Sequence, residues 1–375
     1  MLCQWALAFS RSENSYNMKN LKSILGFCGA CIAFYIGAGF ATMQEVMQYE
    51  ASYGSLFGVV ILVAAVIYVY TNISFTNNGN RLGLTRGGDI YQAYCGKWIG
   101  LAFDYFSALF CYMSFVVMCG GANSTCMEQW GMPNGAGAVI LAAAAIITVV
   151  FGLNGVVKAL KGVGPIIILL IIFVSCWTVI TGWSNFSEGL AAVDNHKYEI
   201  TQVGDGNPFA SGASYGGFVI LWFAAFLAEI GAKNSVKNVN RGMLLSTLAI
   251  FGVAAICCVA LIGHIDTTWD AGVPALVLAE SIHPVFGALY AFIIFLGIYS
   301  SACPLLWTGI SRIAENGTKK YKVWAIVLGI LGCVIACFVP YRPLLNVIYG
   351  LNGYLGFILV AFMIWNDVKV WRNCK

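Results

Sequence analysis

Apolar residues run along this chain in ten long blocks, at roughly 23–49, 54–76, 97–121, 135–153, 161–183, 212–233, 242–264, 285–312, 322–340 and 343–366. Each is of the length that carries a helix across a hydrocarbon core. The pattern predicts an all-α integral membrane protein with ten transmembrane helices. The polar connections repeat in kind. Segments 50–53, 77–96, 122–134 and 154–160 run short, long, medium and short, and segments 234–241, 265–284, 313–321 and 341–342 follow the same order. Five helices is an odd number, so a second set of five would enter the membrane from the opposite side, giving a 5+5 inverted repeat. The expected units are 18–184 and 212–366, joined by an extracytoplasmic loop 185–211 and followed by a tail 367–375. Residues 1–17 read as an extension or weakly ordered tail before Met18, without the cleavage pattern of a signal peptide. In the two long connections, 82–94 and 273–283 suit either a short helix lying along the surface or a solvated loop.

Composition agrees with this reading. The chain is 60% hydrophobic and 10% charged, where a soluble chain averages roughly 25% charged residues. Of its 20 Lys and Arg, only Lys197 and Arg342 fall in segments that would face outward; the other 18 fall on the inner side. That bias sets both termini in the cytoplasm, and it accounts for the net charge of +4 without a nucleic-acid partner. The 14 Cys lie mostly within apolar runs and the three His are scattered, which argues against zinc. No HExxH, paired-Asp motif, activated nucleophile or redox CxxC is present, so an enzyme is not expected.

Within the first block lies Ile36-Gly37-Ala38-Gly39-Phe40-Ala41-Thr42-Met43-Gln44-Glu45. Two glycines in mid-membrane, followed by a carboxylate, read as a broken helix lining a polar cavity. The alternative is a small-residue packing seam. Gln44 and Glu45 would sit above the break, where they could bind an amine or relay a proton. In the sixth block Phe223 and Ala224 mark the midpoint; no Gly or Pro is there, so unwinding is expected by symmetry alone. Glu229, four residues before Lys233, fits a gate or relay as well as a surface ion pair. In the eighth block Gly297, Ser300 and Ser301 precede Pro304, an arrangement that offers hydroxyls and carbonyls to a cation or hydrogen bonds to a neighbouring helix. In the third, Asp104 is a gate candidate or a snorkelling side chain, and Tyr112 a substrate wall or core. Lys158 and Lys161 read as positive-inside anchors.

The helix-1 stretch resembles the corresponding signature of the YkvI family of uncharacterised bacterial membrane proteins. Gly120-Gly121-Ala122-Asn123-Ser124-Thr125-Cys126-Met127-Glu128-Gln129-Trp130-Gly131-Met132-Pro133 resembles that family's segment after helix 3. The similarity runs from about Met18 to the C-terminus, with Met43 standing where a small residue is expected. The family is placed in the amino acid–polyamine–organocation superfamily, with the fold of the bacterial leucine transporter. The resemblance implies that amides of Ala38, Gly39 and Phe40 beside Gly37 hold a substrate carboxylate, an anion site of the kind helix N-termini make. It implies a sodium site of Ala33 and Ile36 carbonyls with Gly297, Ser300 and Ser301. Phe40 stands where a second sodium site would need Asn, so that site is not expected.

The function these features suggest is a carrier of a small organic solute, an amino acid or amine, coupled to Na+ or H+ by alternating access in a bacterial inner membrane. No organic cofactor is expected. The rival reading is a permease-like receptor that binds without transporting, as in spore-germination subunits. Neither substrate identity nor oligomeric state is legible in the sequence.

Overall fold

The computed structural model describes residues 20–32, 35, 38–84, 86–151, 163–311, 313–315 and 317–373. Ala33, Ile36 and Gly37, Lys158 and Lys161, and the 1–17 segment lie outside them. Among the described residues the chain is helical throughout, with no strand. Helix α1 spans Asn20–Ile32, α2 Ala38–Ala41 and α3 Gln44–Tyr49. A 3-10 turn, Ala51–Leu56, leads into α4, Phe57–Leu82. Then come α5, Asp89–Trp130, α6, Ala136–Phe151, and α7, Val163–Gly182. The connection between the two halves carries α8, Phe186–Asp194. The second half holds α9, Pro208–Lys233, α10, Val236–Gly263, α11, Ile265–Thr268, and α12, Pro274–Ile282. It ends with α13, Pro284–Ser311, α14, Lys319–Phe338, and α15, Tyr341–Asn373.

Seven of the described helices are long and apolar enough to cross a bilayer, and an eighth span is formed if the two arms of α9 are taken together. The shorter apolar helices α1 and α6 lie where the first and fourth spans were expected. Large apolar side chains point outward along these helices, among them Leu169, Ile180, Leu248 and Phe338. In lipid that exposure costs nothing; the chain is a multi-pass membrane protein.

Both long connections contain the short helix that the sequence allowed. In the first, Gly96 takes a left-handed φ of 73° and splits α5 into a short arm from Asp89 and a long spanning arm. In the second, Pro274 sits at the first turn of α12, where its missing N–H costs nothing. The helices pack in two groups. One joins α4, α9 and α10; the other joins α5, α6, α13 and α14, and α15 touches both. The α4–α9 seam is drawn tight by small residues: a Cβ added to Gly231 would lie 2.4 Å from the Thr76 carbonyl oxygen, and one on Gly212 would lie 2.7 Å from that of Val60. Gly231→Val is therefore expected to overpack this seam and cost about 1–3 kcal/mol, read as a lower melting temperature of the purified protein.

Candidate substrate site

The first membrane segment is not continuous. After the single turn of α2 the chain leaves the helix at Thr42 and Met43, and Met43 adopts φ 58°, ψ 12°. A left-handed residue with a Cβ costs about 1–2 kcal/mol, so it persists only where its surroundings hold it. Several bonds do so. The Thr42 hydroxyl donates to the Gly39 carbonyl at 3.0 Å and lies 3.1 Å from the Tyr341 hydroxyl. The Thr42 carbonyl accepts from the Ala275 amide at 3.0 Å, and Met43 N donates to Phe40 O at 3.0 Å. The resemblance expected a small residue at position 43; the backbone there has the conformation that favours glycine, yet carries a fully buried Met.

This turn folds Glu45 back. Its carboxylate presses on Gly39 so closely that a Cβ there would lie 2.0 Å from Oε1. Glu45 is 1% exposed and Glu50, just past α3, is 0% exposed. Oε1 of each has no hydrogen-bond partner among the described residues. The other oxygen of Glu50 accepts a weak bond from the Cys258 thiol at 3.6 Å.

Around them stands a cage of aromatic rings. Tyr35 meets Phe40 at 5.9 Å, Tyr68 at 5.7 Å, Tyr215 at 6.2 Å and Phe223 at 6.4 Å between centroids. Tyr49 lies 4.7 Å from Tyr215. The hydroxyls of Tyr35, Tyr49, Tyr68 and Tyr215, both amide atoms of Asn72 and the Ser214 hydroxyl are buried and make no hydrogen bond of good geometry; Tyr35 faces Tyr215, Tyr49 faces Ser214, and Tyr68 faces Asn72 and Ser246. Leaving one such group unsatisfied costs about 1–3 kcal/mol. A concentration of them at one place marks a position built to receive something polar.

α9 brings its share of the cage through a bend. Its two arms, Pro208–Leu221 and Phe223–Lys233, meet at 54°. The first arm is capped by Asn207, whose side chain accepts from the amides of Phe209 and Ala210. Phe223 and Ala224, both fully buried, follow the bend directly.

The candidate residues thus divide. Gly39, Phe40, Glu45 and Phe223 come together, with Ala224 beside them. Ala38 is on the same turn, and Gly37 lies outside the described residues. Gln44 turns to the outer loop instead: in the amide orientation that satisfies its neighbours it donates to the carbonyls of Ala271 at 3.1 Å and Gly272 at 3.2 Å. Tyr112 faces α14, donating to the Leu328 carbonyl at 3.1 Å, and sits away from the cage. Sequence reasoning missed Glu50, which it counted in a connection, and the tyrosines, which stand in apolar runs without a motif.

The sodium candidates are half described. Ser300 donates to the Gly297 carbonyl at 2.8 Å, and Ser301 is half-buried. Pro304 lacks the N–H that would bond the Ser300 carbonyl, leaving it available. Gly297 is covered by Ile167 of α7, 2.1 Å from where a Cβ would be. These oxygens suit a hard monovalent cation; Ala33 and Ile36 lie outside the described residues.

At one end of the helices Asp104, 2% exposed, pairs with Arg86 of the α4–α5 connection. Glu229 pairs with Lys233 at 2.5 Å, both largely exposed, as an i,i+4 pair on the helix surface. Asp367 of α15 accepts from Ser74 at 2.5 Å, Tyr70 at 3.2 Å and Asn78 at 3.0 Å, tying α15 to α4.

At the opposite end the segment before α12 is tied down. Glu128 accepts from the amides of Gly272 at 2.7 Å and Val273 at 3.0 Å. Asp270 pairs with Arg342, and Gln48 donates to the Arg342 carbonyl at 3.1 Å.

No family model matches the sequence. The chain is 23% identical over 340 residues to the uncharacterised membrane protein YkvI of Bacillus subtilis (strain 168), a match covering 88% of this chain and 92% of that one. Among solved structures it superimposes on MhsT in complex with L-phenylalanine with a TM-score of 0.61 at 17% identity, over 91% of this chain and 88% of that one. It also superimposes on a variant of the Eremococcus coleocola manganese transporter with a TM-score of 0.59 at 14% identity, over 94% and 79%. The fold is that of the leucine-transporter class. In that fold the cage lies where the interrupted first helix and the bent α9 meet, and none of the proteins named here is described as an enzyme.

Proposed function

We propose that this protein is a secondary active transporter of a small organic solute, an amino acid or amine, coupled to Na+ or H+. Its place in the amino acid–polyamine–organocation superfamily, its ten spans in a 5+5 inverted repeat and its setting in a bacterial inner membrane with both termini inside belong to the same reading. The observation that carries it is the pair of buried carboxylates, Glu45 and Glu50, each with an unpartnered Oε1, beside a cage of buried hydroxyls at the turn between α2 and α3. A soluble ligand is the natural partner for such groups. The two packing groups supply the moving parts: α4, α9 and α10 with the first helix would rock against α5, α6, α13 and α14. The outer lid and the Arg86–Asp104 pair would open in turn. Gly297, Ser300 and Ser301 are the candidate sodium ligands, to which Ala33 and Ile36 would add carbonyls.

The test is uptake into proteoliposomes of a labelled amino-acid and amine panel, with sodium or choline outside and with or without a pH gradient. Gradient-driven accumulation of one solute class supports the reading. A ligand that raises the melting temperature but never accumulates would make the protein a receptor. Glu45→Gln is expected to cut accumulation by about tenfold or more, the worth of one charge-assisted hydrogen bond. Unchanged uptake and pH dependence would remove Glu45 from the mechanism. Ser301→Ala is expected to abolish any sodium stimulation while leaving sodium-independent binding intact.

A further inference from the structure

The charge balance of the cage narrows the reading above, on which this step rests. Glu45 and Glu50 are both fully enclosed. The titratable groups acting on Glu45 are Glu50 on its own segment, Tyr35, Tyr49 on α3, Tyr215 on α9, and Tyr341 and Tyr349 on α15. Those acting on Glu50 are Tyr35, Tyr215, and Cys257 and Cys258 on α10. Every one is acidic or neutral; among the described residues no Lys, Arg or His pairs with either carboxylate. Buried carboxylates without a counter-charge either hold a proton or take a cation from outside. Among the described residues no group of three or more His, Cys, Asp or Glu is placed to hold a metal ion. The walls are aromatic faces and phenolic oxygens, which suit an organic ammonium.

A second observation concerns the substrate's other end. The space beside Gly39 is taken by the protein's own carboxylate, with Glu45 Oε1 against it. A zwitterionic amino acid would bring a third anion to this spot. A solute with an ammonium and no carboxylate would complete the charge.

We infer that the site binds an organic amine lacking an α-carboxylate, in competition with protons held by Glu45 and Glu50. When the ammonium enters, its N–H bonds replace an O–H bond: R–NH3+ and a Glu carboxylic acid become an ammonium–carboxylate pair, and one proton leaves to water. Return of the empty site needs a proton to take the cation's place. Amine and proton therefore move in opposite directions.

The probe is phenethylamine, with L-phenylalanine and phenylacetate as its carboxylated and amine-free relatives. Calorimetry of the detergent-purified full chain in two buffers of different ionisation heat counts protons released on binding. Phenethylamine is expected to bind with release of a proton, and its affinity to fall by up to about tenfold per unit decrease in pH across the competing range; the two carboxylates are expected not to bind. Glu45→Gln and Glu50→Gln are each expected to reduce the release. The two-buffer measurement on the unaltered protein stands if either variant misfolds. No binding of phenethylamine, methylamine or putrescine, binding without proton release, or tighter binding of L-phenylalanine would overturn the inference. Sodium-driven uptake without proton counter-movement would also overturn it while leaving the transport reading intact. Proton-releasing amine binding without uptake would do the reverse.

Discussion

Gly39→Val is expected to abolish uptake in a protein that still folds. Gly39 touches the Glu45 carboxylate with no room for a Cβ, which would fall 2.0 Å from Oε1 and 2.5 Å from Cγ. The obstructing atoms are the end of a flexible side chain, so the added bulk is relieved by swinging the carboxylate away rather than by unwinding the helix. That movement removes the group's bond to a ligand ammonium, a charge-assisted interaction worth about 1.5–3 kcal/mol, or roughly 10–150-fold in affinity. Gly39→Ala should show the same loss in smaller measure. Binding by calorimetry and folding by size-exclusion chromatography separate the two effects. A Gly39→Val protein that elutes as the wild type and binds with unchanged affinity would show that Glu45 does not set the site.

How much of this arrangement was legible beforehand depends on the range of the interactions involved. Seven of the ten expected spans, or eight with the two arms of α9, follow from hydropathy, and the short helices at the Asp89 arm and at α12 from local signals such as Gly96 and Pro274. Two glycines and a carboxylate led to the expectation of a break at Gly37 and Gly39, of which Gly37 lies outside the described residues. The turn between α2 and α3 at Thr42 and Met43 was not legible: its left-handed Met43 is held by Thr42 through Tyr341 and Ala275, which are more than 200 positions away. Propensity cannot see such partners. The same holds for Gln44, whose amide is claimed by Ala271 and Gly272, and for Tyr112, claimed by the Leu328 carbonyl. The tyrosines of the cage escaped for the opposite reason. Each looks like core on its own helix, and only their convergence around Glu45 and Glu50, visible once α3, α4 and α9 meet, sets them apart.

The two ends of the molecule are closed by different means, and this bears on which end yields first. At the end proposed to face inward, the Arg86–Asp104 pair joins a buried carboxylate to a guanidinium whose side chain is half exposed, so solvent screens part of its strength. At the end proposed to face outward, Glu128 reaches across from α5 to two backbone amides, Thr42 supplies the acceptor for a third, and Arg342 holds Asp270. The outer lid is thus fastened at both of the packing groups that alternating access would separate, and it cannot lift without breaking charged hydrogen bonds.

Glu128→Ala is accordingly expected to shift the protein toward an outward-open state. The change removes both acceptors from the Gly272 and Val273 amides. Two hydrogen bonds to a charged group are worth about 3–6 kcal/mol at most, and water entering the opened lid returns part of that by solvating the freed amides. A net shift of about 1.5–3 kcal/mol would move the equilibrium between closed and open lids by roughly 10–150-fold. The readout is the rate at which a membrane-impermeant maleimide added outside labels Cys258, a buried thiol beside Glu50, in a variant whose other reactive cysteines are replaced by Ser. Labelling should accelerate in Glu128→Ala, fall back in Glu128→Asp if the shorter carboxylate still reaches one amide, and slow again when a tight ligand is bound. Uptake should fall as well, because a lid that will not close cannot hand its cargo inward. Equal labelling rates in wild type and Glu128→Ala would show that the lid is held by the Arg342–Asp270 pair and the Thr42–Ala275 bond, with Glu128 contributing only to the stability of the α12 terminus.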